Sequence, residues 1–481
     1  MPMIDLIKHP IRDGLLPHFL TIGGFLLAVF LIARLMSEKR QPGNTVAWLM
    51  GIVLIPYVGV PLYLLFGGRK LRKLMARKNR ISPTLPGPET MEASCTQRPI
   101  AQVVAATGGS KPVAGNGMEV LTTGEAAFAA LEEQILSATH TIHIMTFILG
   151  RDDTGKRIVK LLTQRAREGV KVRLLLDSVG CMFVSRSFVA PIVKAGGEVA
   201  WFMPVLPFTS RGSANLRNHR KIAVFDHNIA LIGGHNIAAE YMGPAKRRKR
   251  WSDFGARLAG PAAALLNDVF IADWAFASRQ SADDLRAEIS VEASCQPRGN
   301  AELQIIASGP DVNGDPLYEG LLAMVQSAEK SIVIITPYFI PDEVLLRSLI
   351  VKARSGCAIT LVVPAKSNHP ITDFARKHYL RELHRAGVTV RLFGPGMMHS
   401  KATVVDDCIA LFGSANFDLR SLFVNFEIGV IVHSSIEVKA MTAWAQTLIA
   451  ASTDLAKTQP PRYKLLGGLA EDLSRLLAPL L

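Results

Sequence analysis

Two long apolar runs open the chain. Residues 15–33 hold no charge apart from one that His18 can carry, and residues 41–68 hold none, with Val46–Phe66 the most apolar part. A bilayer core needs about 20 apolar residues of helix, so each run predicts a membrane-spanning helix and together they predict a hairpin. Pro56, Gly59 and Pro61 interrupt the second run and leave a re-entrant shape open. A cleavable leader fits the first run poorly, because no clear small-residue cleavage site follows it and a second run comes soon after.

The flanking charges give the hairpin a direction. Arg69, Lys70, Arg72, Lys73, Arg77, Lys78 and Arg80 follow the second run with no acid among them, whereas the connecting loop holds Arg34, Lys39 and Arg40 offset by Glu38. The excess of basic residues predicts that both ends of the hairpin, and the bulk of the chain, face the cytoplasm. The same basic run suits anionic lipid headgroups. Residues 81–117 are rich in Pro, Gly, Ser and Thr and read as a linker with little regular structure.

From Met118 onward the pattern alternates between the helical period and the strand period, and it does so twice. Helical stretches Ala126–Leu136 and Leu317–Gln326 each lead into a strand, through Ser137-Ala138 and Ser327-Ala328. Gly169 and Gly356 precede matching apolar strands, and Ala195-Gly196 matches Ala386-Gly387 at the end of the next helix. This predicts two similar mixed-sheet α/β domains, 118–295 and 296–481, after a hairpin unit 1–80 and the linker 81–117. Polar residues 276–300 mark the boundary between the halves. The repeat is too long for a solenoid and reads as a duplicated domain. A final stretch, 469–481, places Leu469, Leu473, Leu476, Leu477 and Leu480 on one helical face, suited to packing on the second domain or to a membrane interface.

The chemistry sits in one motif carried twice. One copy holds His399, Lys401, Asp406, Gly413, Ser414 and Asn416; the other holds His219, Lys221, Asp226, Gly233, Gly234 and Asn236, at the same spacings. Apolar, β-branched residues surround each, so each reads as two strands joined by a turn at Asp226-His227-Asn228 or Asp406-Asp407. Residues two apart on a strand share a face, which puts His219 with Lys221 and His399 with Lys401. A neutral imidazole can attack phosphorus and form a phosphohistidine. Lysine and asparagine can hold the phosphoryl oxygens, and a second histidine can protonate the leaving alkoxide and then deprotonate the incoming alcohol. No metal or other cofactor is required, since lysines can carry the charge. Asp253 and Glu427 each precede a glycine and a strand, and an acid there could orient a catalytic histidine through its far ring nitrogen. Asp226 and Asp406 lie at odd offsets from their histidines and are assigned to turn and interdomain hydrogen bonding before catalysis.

Composition narrows the partner. The 481 residues are 49% hydrophobic with a net charge of +14, which fits an anionic partner, phospholipid or nucleic acid. Much of that charge lies in the run after the apolar hairpin, and two membrane helices are out of place on a nuclease, so lipid is favoured. Cys95, Cys181, Cys295, Cys357 and Cys408 are scattered and odd in number, as free thiols in a reducing compartment are.

On these motifs the chain resembles the phospholipase D superfamily, whose signature is His-x-Lys-x4-Asp followed by Gly-Gly/Ser-x-Asn. Two copies in one chain resemble its fused pseudo-dimers, with one active site where the halves meet. Asn218, Tyr241, Trp251, the stretches Ser308–Pro310 and Thr336–Asp342, and Asn416–Ser421 narrow the resemblance to bacterial cardiolipin synthases. That resemblance implies phosphatidyl transfer from one phosphatidylglycerol to another, with release of glycerol. It implies His219 as nucleophile and His399 as acid/base, an assignment that the near-symmetry of the motifs allows to be reversed. Lys221, Lys401, Asn236 and Asn416 would hold the phosphate, with Ser414 assisting. It also implies a multi-pass protein of the bacterial inner membrane with cytoplasmic catalytic domains, acting on phosphatidylglycerol and other anionic phospholipids and not on nucleic acid, with a homo-oligomer left open. Hydrolysis, or transfer to ethanolamine or serine, is the alternative. The chain departs from the family pattern at Met145–Ile148, at Asn368 and at Phe393–Gly396, where glutamate, aspartate or tyrosine is common.

Overall fold

The computed structural model describes residues 16–36, 42–66, 78, 98–204, 216–288 and 296–457. Three helices come first: α1 (Leu16–Met36), α2 (Pro42–Leu54) and α3 (Pro56–Phe66). The second apolar run is therefore two helices and not one. Pro56 has no N–H to continue α2 and disfavours helical backbone at Ile55, so the chain bends there and restarts with proline in the first turn of α3. Leu31, Ile52 and Tyr63 pack the three helices together. Among the described residues no helix is long and apolar enough to cross a membrane, so the expected spanning hairpin is not established by the fold.

The stretch read as a linker contains structure. Arg98–Ala106 forms α4, which buries Ile100 and Val104 in the core of the second half. Ser110 then exchanges hydrogen bonds with Ile305, its N–H donating to the carbonyl at 3.0 Å and its hydroxyl accepting from the amide at 2.9 Å.

The first half runs β1 (Val113–Leu121), α5 (Gly124–Ser137), β2 (Thr141–Thr146), α6 (Asp153–Arg167), β3 (Lys171–Asp177), α7 (Arg186–Lys194), β4 (Glu198–Phe202), β5 (Ile222–Phe225), β6 (Ile229–Gly233), β7 (Gly255–Ala259), α8 (Pro261–Ser278) and α9 (Ala282–Ala287). The second runs β8 (Ala301–Ser308), α10 (Pro316–Ser327), β9 (Ser331–Ile335), β10 (Phe339–Ile340), α11 (Glu343–Arg354), β11 (Ala358–Pro364), α12 (Pro370–Arg385), β12 (Thr389–Phe393), β13 (Ala402–Val405), β14 (Ile409–Gly413), β15 (Phe417–Asp418), α13 (Leu419–Phe423), β16 (Glu427–Val432), α14 (Ser435–Ala450) and β17 (Ser452–Asp454). Helix ends follow local chemistry: Thr123 and Asp152 cap α5 and α6 by accepting from amides of the first turn. Gly196 and Gly387 take left-handed backbone (φ 97° and 99°) where α7 and α12 turn into strands.

One mixed sheet carries both halves. From the centre outward the first half orders its strands β1, β7, β6, β5, β2, β3, β4, and the second orders β8, β16, β14, β13, β9, β11, β12, β17. The first seven strands match one for one, β17 being an addition at the outer edge of the second half, and β1 and β8 pair antiparallel at the join. A duplicated unit has thus paired with itself about an approximate two-fold axis. Each half has its own core between sheet and helices, and a third core spans the join, where Phe254 of the first half meets Phe412 (5.3 Å) and Trp444 (4.2 Å) of the second. The tail 469–481, and all of the basic run except Lys78, lie outside the described residues.

Candidate active site

The two motif hairpins occupy equivalent places in the two half-sheets. Each turns through two residues of positive φ, Asp226 and His227 (47° and 61°) and Asp406 and Asp407 (52° and 53°). Asp and Asn tolerate this backbone better than most residues. The motif aspartates sit at the end of β5 and β13 opposite the histidines. Asp226 accepts from the amides of Thr139, His140 and Thr141, and Asp406 from those of Glu329, Lys330 and Ser331. These bonds tie each hairpin to the start of β2 or β9 in its own half. They are not interdomain bonds, and neither aspartate joins the histidine cluster.

The histidines stand at the seam. Short backbone ladders cross it: His219 N donates to Phe426 O (2.9 Å) and Phe426 N to Arg217 O (2.9 Å), while His399 N donates to Ser252 O (2.6 Å) and Ser252 N to Met397 O (2.8 Å). Each ladder carries an acid of the opposite half to a histidine. His219 Nδ1 meets the Glu427 carboxylate at 2.9 and 3.0 Å, and His399 Nδ1 meets Asp253 Oδ2 at 2.7 Å. Both acids are fully buried. An Nδ1–H donated to a carboxylate fixes the tautomer and leaves the Nε2 lone pair bare. The motif glycines make room for this approach. Gly233 pairs with Gly255 and Gly413 with Gly429, each partner two residues beyond the acid. A Cβ at Gly233 would lie 2.4 Å from the backbone of its neighbour strand, and one at Gly413 would lie 2.1 Å from Ile428 O.

The lysines, asparagines and serine stand around the two histidines. Lys221 Nζ donates to His219 O at 2.7 Å, and Lys401 donates to His399 O and lies 2.8 Å from His399 Nδ1. Asn236 Oδ1 accepts from Ile148 N at 3.1 Å. Asn416 Nδ2 donates to Ser421 Oγ at 3.3 Å, and its buried Oδ1 has no partner among the described residues. Ser414 donates to Glu427 and accepts from Ile428 N, so it reaches His219 through the acid. Aromatic rings wall both imidazoles: Phe147 edge-on to His219 at 5.1 Å, and Tyr241 and Trp251 beside His399 at 5.1 and 5.6 Å. Departures from the family pattern reach this region, since Met145 Sδ accepts from Asn218 Nδ2 at 3.2 Å and Tyr338 Oη donates to Asn368 Oδ1 at 2.6 Å.

Burial sets the protonation states. It pushes His399 down to about 3, helped by Lys401 and opposed by Asp253, and it lowers His219 against the pull of Glu427. It also brings Lys221 down to about 7 and Lys401 to about 8, with the two acids acting in the opposite sense. Burial alone would raise both acids, yet His399 and Lys401 hold Asp253 below the usual carboxylate range and His219 does the same for Glu427. The site is thus two neutral imidazoles, two carboxylates and two lysines, whose charges cancel when both lysines hold their protons.

Sequence reasoning passed over Arg220, which lies between His219 and Lys221 and must face the other way on a strand. It is fully buried and bonded to Asp273 (2.9 Å) and Asp311 (3.3 Å), one acid from each half. Strand alternation was the signal: a charge facing the core calls for buried acids.

Comparison with known proteins agrees with this architecture. The family model described as cardiolipin synthase, PLD-like domain, matches residues 131–248 and 321–449, and that described as phospholipase D-nuclease N-terminal matches residues 26–68. A cardiolipin synthase of Geobacillus sp. (strain WCH70) is 33% identical over 470 residues, covering 94% of this chain and 92% of that protein. The chain belongs to the cardiolipin synthase family. The major cardiolipin synthase of Bacillus subtilis (strain 168) is 31% identical, over 96% of this chain and all of its own length (100%). Among solved structures, phosphatidylserine synthase of Haemophilus influenzae Rd KW20 shares the fold at a TM-score of 0.58 and 16% identity, covering 76% of this chain and 95% of that one. The family's two-fold domain match falls on the two halves described here, and both motif hairpins lie within it or between its limits.

Proposed function

We propose that this protein is a phosphatidyltransferase that makes cardiolipin and glycerol from two molecules of phosphatidylglycerol. The crosswise pairing of two histidines with two acids carries the reading, because it supplies two prepared imidazoles to one site. His219 Nε2 attacks the phosphorus of the first lipid, the phosphatidyl group passes to nitrogen, and the glycerol oxygen leaves with the proton that His399 Nε2 takes up from solvent as the phosphodiester anion binds. His399 then takes the proton of the primary hydroxyl of the second phosphatidylglycerol, whose oxygen displaces His219. Asp253 offsets the charge on His399 when it is protonated, and an arriving phosphodiester anion favours that state further. Lys221, Lys401, Asn236 and Asn416 hold the phosphoryl oxygens, and Ser414 assists by fixing Glu427. One diester replaces another, so the exchange needs no nucleotide.

The same reading places α1–α3 in the bacterial inner membrane with the catalytic halves on the cytoplasmic side. Large apolar side chains stand exposed on this unit, among them Phe25 (68%), Leu26 (60%) and Leu54 (69%), which lipid would cover. The test is a thin-layer assay of purified protein in detergent with labelled phosphatidylglycerol alone, without metal or nucleotide. Cardiolipin with free glycerol is the expected outcome. Phosphatidic acid without cardiolipin would make water the acceptor and overturn the transferase.

A further inference from the structure

The buried charges behind His219 balance only when a residue from the segment after the membrane hairpin is counted. Arg220 donates from Nη1 to Asp273, from Nη2 to Asp311 and to Ser308 O (3.0 Å), and from Nε to the carbonyl of Glu427 (3.0 Å). Asp273 comes from α8 in the first half and Asp311 from the loop after β8 in the second. Both carboxylates are wholly enclosed, with side-chain exposure of 0%. One guanidinium against two carboxylates leaves a net negative charge where water is excluded, an arrangement too costly to persist unpaired. Lys78 supplies the missing cation: its ammonium bonds both Asp273 and Asp311, and its side chain is also 0% exposed.

The quartet lies directly behind the reacting group. Asp273 also accepts from Asn218 Nδ2 at 2.9 Å, the residue before His219. Lys78 Nζ lies 4.5 Å over the ring of Phe426, whose carbonyl receives the His219 amide. We propose that Lys78 is a positioning residue: it neutralises the quartet with Arg220, Asp273 and Asp311, and so holds the His219 strand and the Glu427 strand in register. Lys78 is then not a headgroup contact like the rest of its basic run, but a peg that fastens the segment following the hairpin into the catalytic seam. This rests on the assignment of His219 to the reaction, and the experiment separates the two.

The test compares full-length Lys78→Met, Asp311→Asn and the double variant in phosphatidylglycerol vesicles. Lys78→Met leaves an excess negative charge and should lower kcat on the order of 10²-fold, with KM for lipid little changed, because a small displacement of a reacting group is enough for that loss. The double variant is neutral again and should recover most of kcat. Labelling of His219 by diethyl pyrocarbonate, read by mass spectrometry of its peptide, should change in Lys78→Met and return in the double variant. That readout stands whether or not cardiolipin is formed, so a wild type that makes none would sink the functional reading alone. A higher KM with unchanged kcat would make Lys78 a lipid contact and overturn the proposal. So would a double variant as impaired as the single, or wild-type kcat and labelling in Lys78→Met. If Lys78→Met does not fold, a folded and active double variant still supports the charge balance, and an unfolded one overturns it.

Discussion

The two half-sites share a motif and differ in how tightly each histidine is held. His399 has a short bond to Asp253 and two aromatic neighbours, and its side chain is 5% exposed. His219 spans both oxygens of Glu427, has one aromatic neighbour, and is 12% exposed. Glu427 carries a further bond from Ser414, while the equivalent Gly234 leaves no such donor at Asp253. A Cβ at Gly234 would lie 2.1 Å from Asp253 Oδ1, so the first half has no space for that serine. The difference teaches that two copies of one motif can diverge through the acid each histidine meets, one extra hydroxyl donor and the packing around each ring. On the proposed assignment the more open ring, His219, attacks phosphorus and the enclosed ring, His399, transfers the proton.

The largest effects test that division directly. His219→Ala and His399→Ala should each abolish turnover, by about 10⁴-fold or more for loss of nucleophile or proton carrier. Only His399→Ala should still trap a labelled phosphatidyl-enzyme. Capture on His219→Ala instead would reverse the two roles. Next come Glu427→Gln and Asp253→Asn, which keep shape but disturb the tautomer and should cost about 10²–10⁴-fold in kcat. Loss of the acid should impair the histidine of the other half, so Glu427→Gln should block phosphatidyl-enzyme formation more than Asp253→Asn does. Lys221→Met and Lys401→Met should each cost about 10²–10³-fold.

Acidity provides a milder test. On the proposed mechanism both lysines are charged when they hold the phosphate, and burial brings them to about 7 and about 8. A group needed in its protonated form is lost as pH rises through its pKa, so kcat/KM should fall on the alkaline side, across that interval. Lys221→Arg should move the fall upward, since a guanidinium keeps its proton. A profile flat to pH 10 would remove the lysines from the charge-bearing role. Ser414→Ala should have the smallest effect, about 3- to 30-fold, the size of one typical net hydrogen bond, because Glu427 keeps its bond to His219 without it.

Much of this was readable in the chain because strands expose their period. The duplicated motif, its turns and the shared faces of His219 with Lys221 and His399 with Lys401 follow from alternation. The crossing of the acids does not. A residue two places before a glycine strand tells that Glu427 is near a histidine, but which one depends on how β16 lies against the opposite half. Helix α4 was hidden because its nine residues bury little more than Ile100 and Val104, and only the second half gives them a surface. Lys78 was one basic residue in a row of seven. Its enclosure is set by two acids far along the chain.

Duplication ordinarily creates a spare. A second copy can lose function while the first continues, and so drift toward something new. The exchange of acids across the seam removes that freedom. On the proposed mechanism a defect in either copy should disarm the imidazole in the other, which leaves no redundancy between the two halves. Separately expressed halves should be inert alone and regain turnover only on reassembly, each serving as the missing part of its twin.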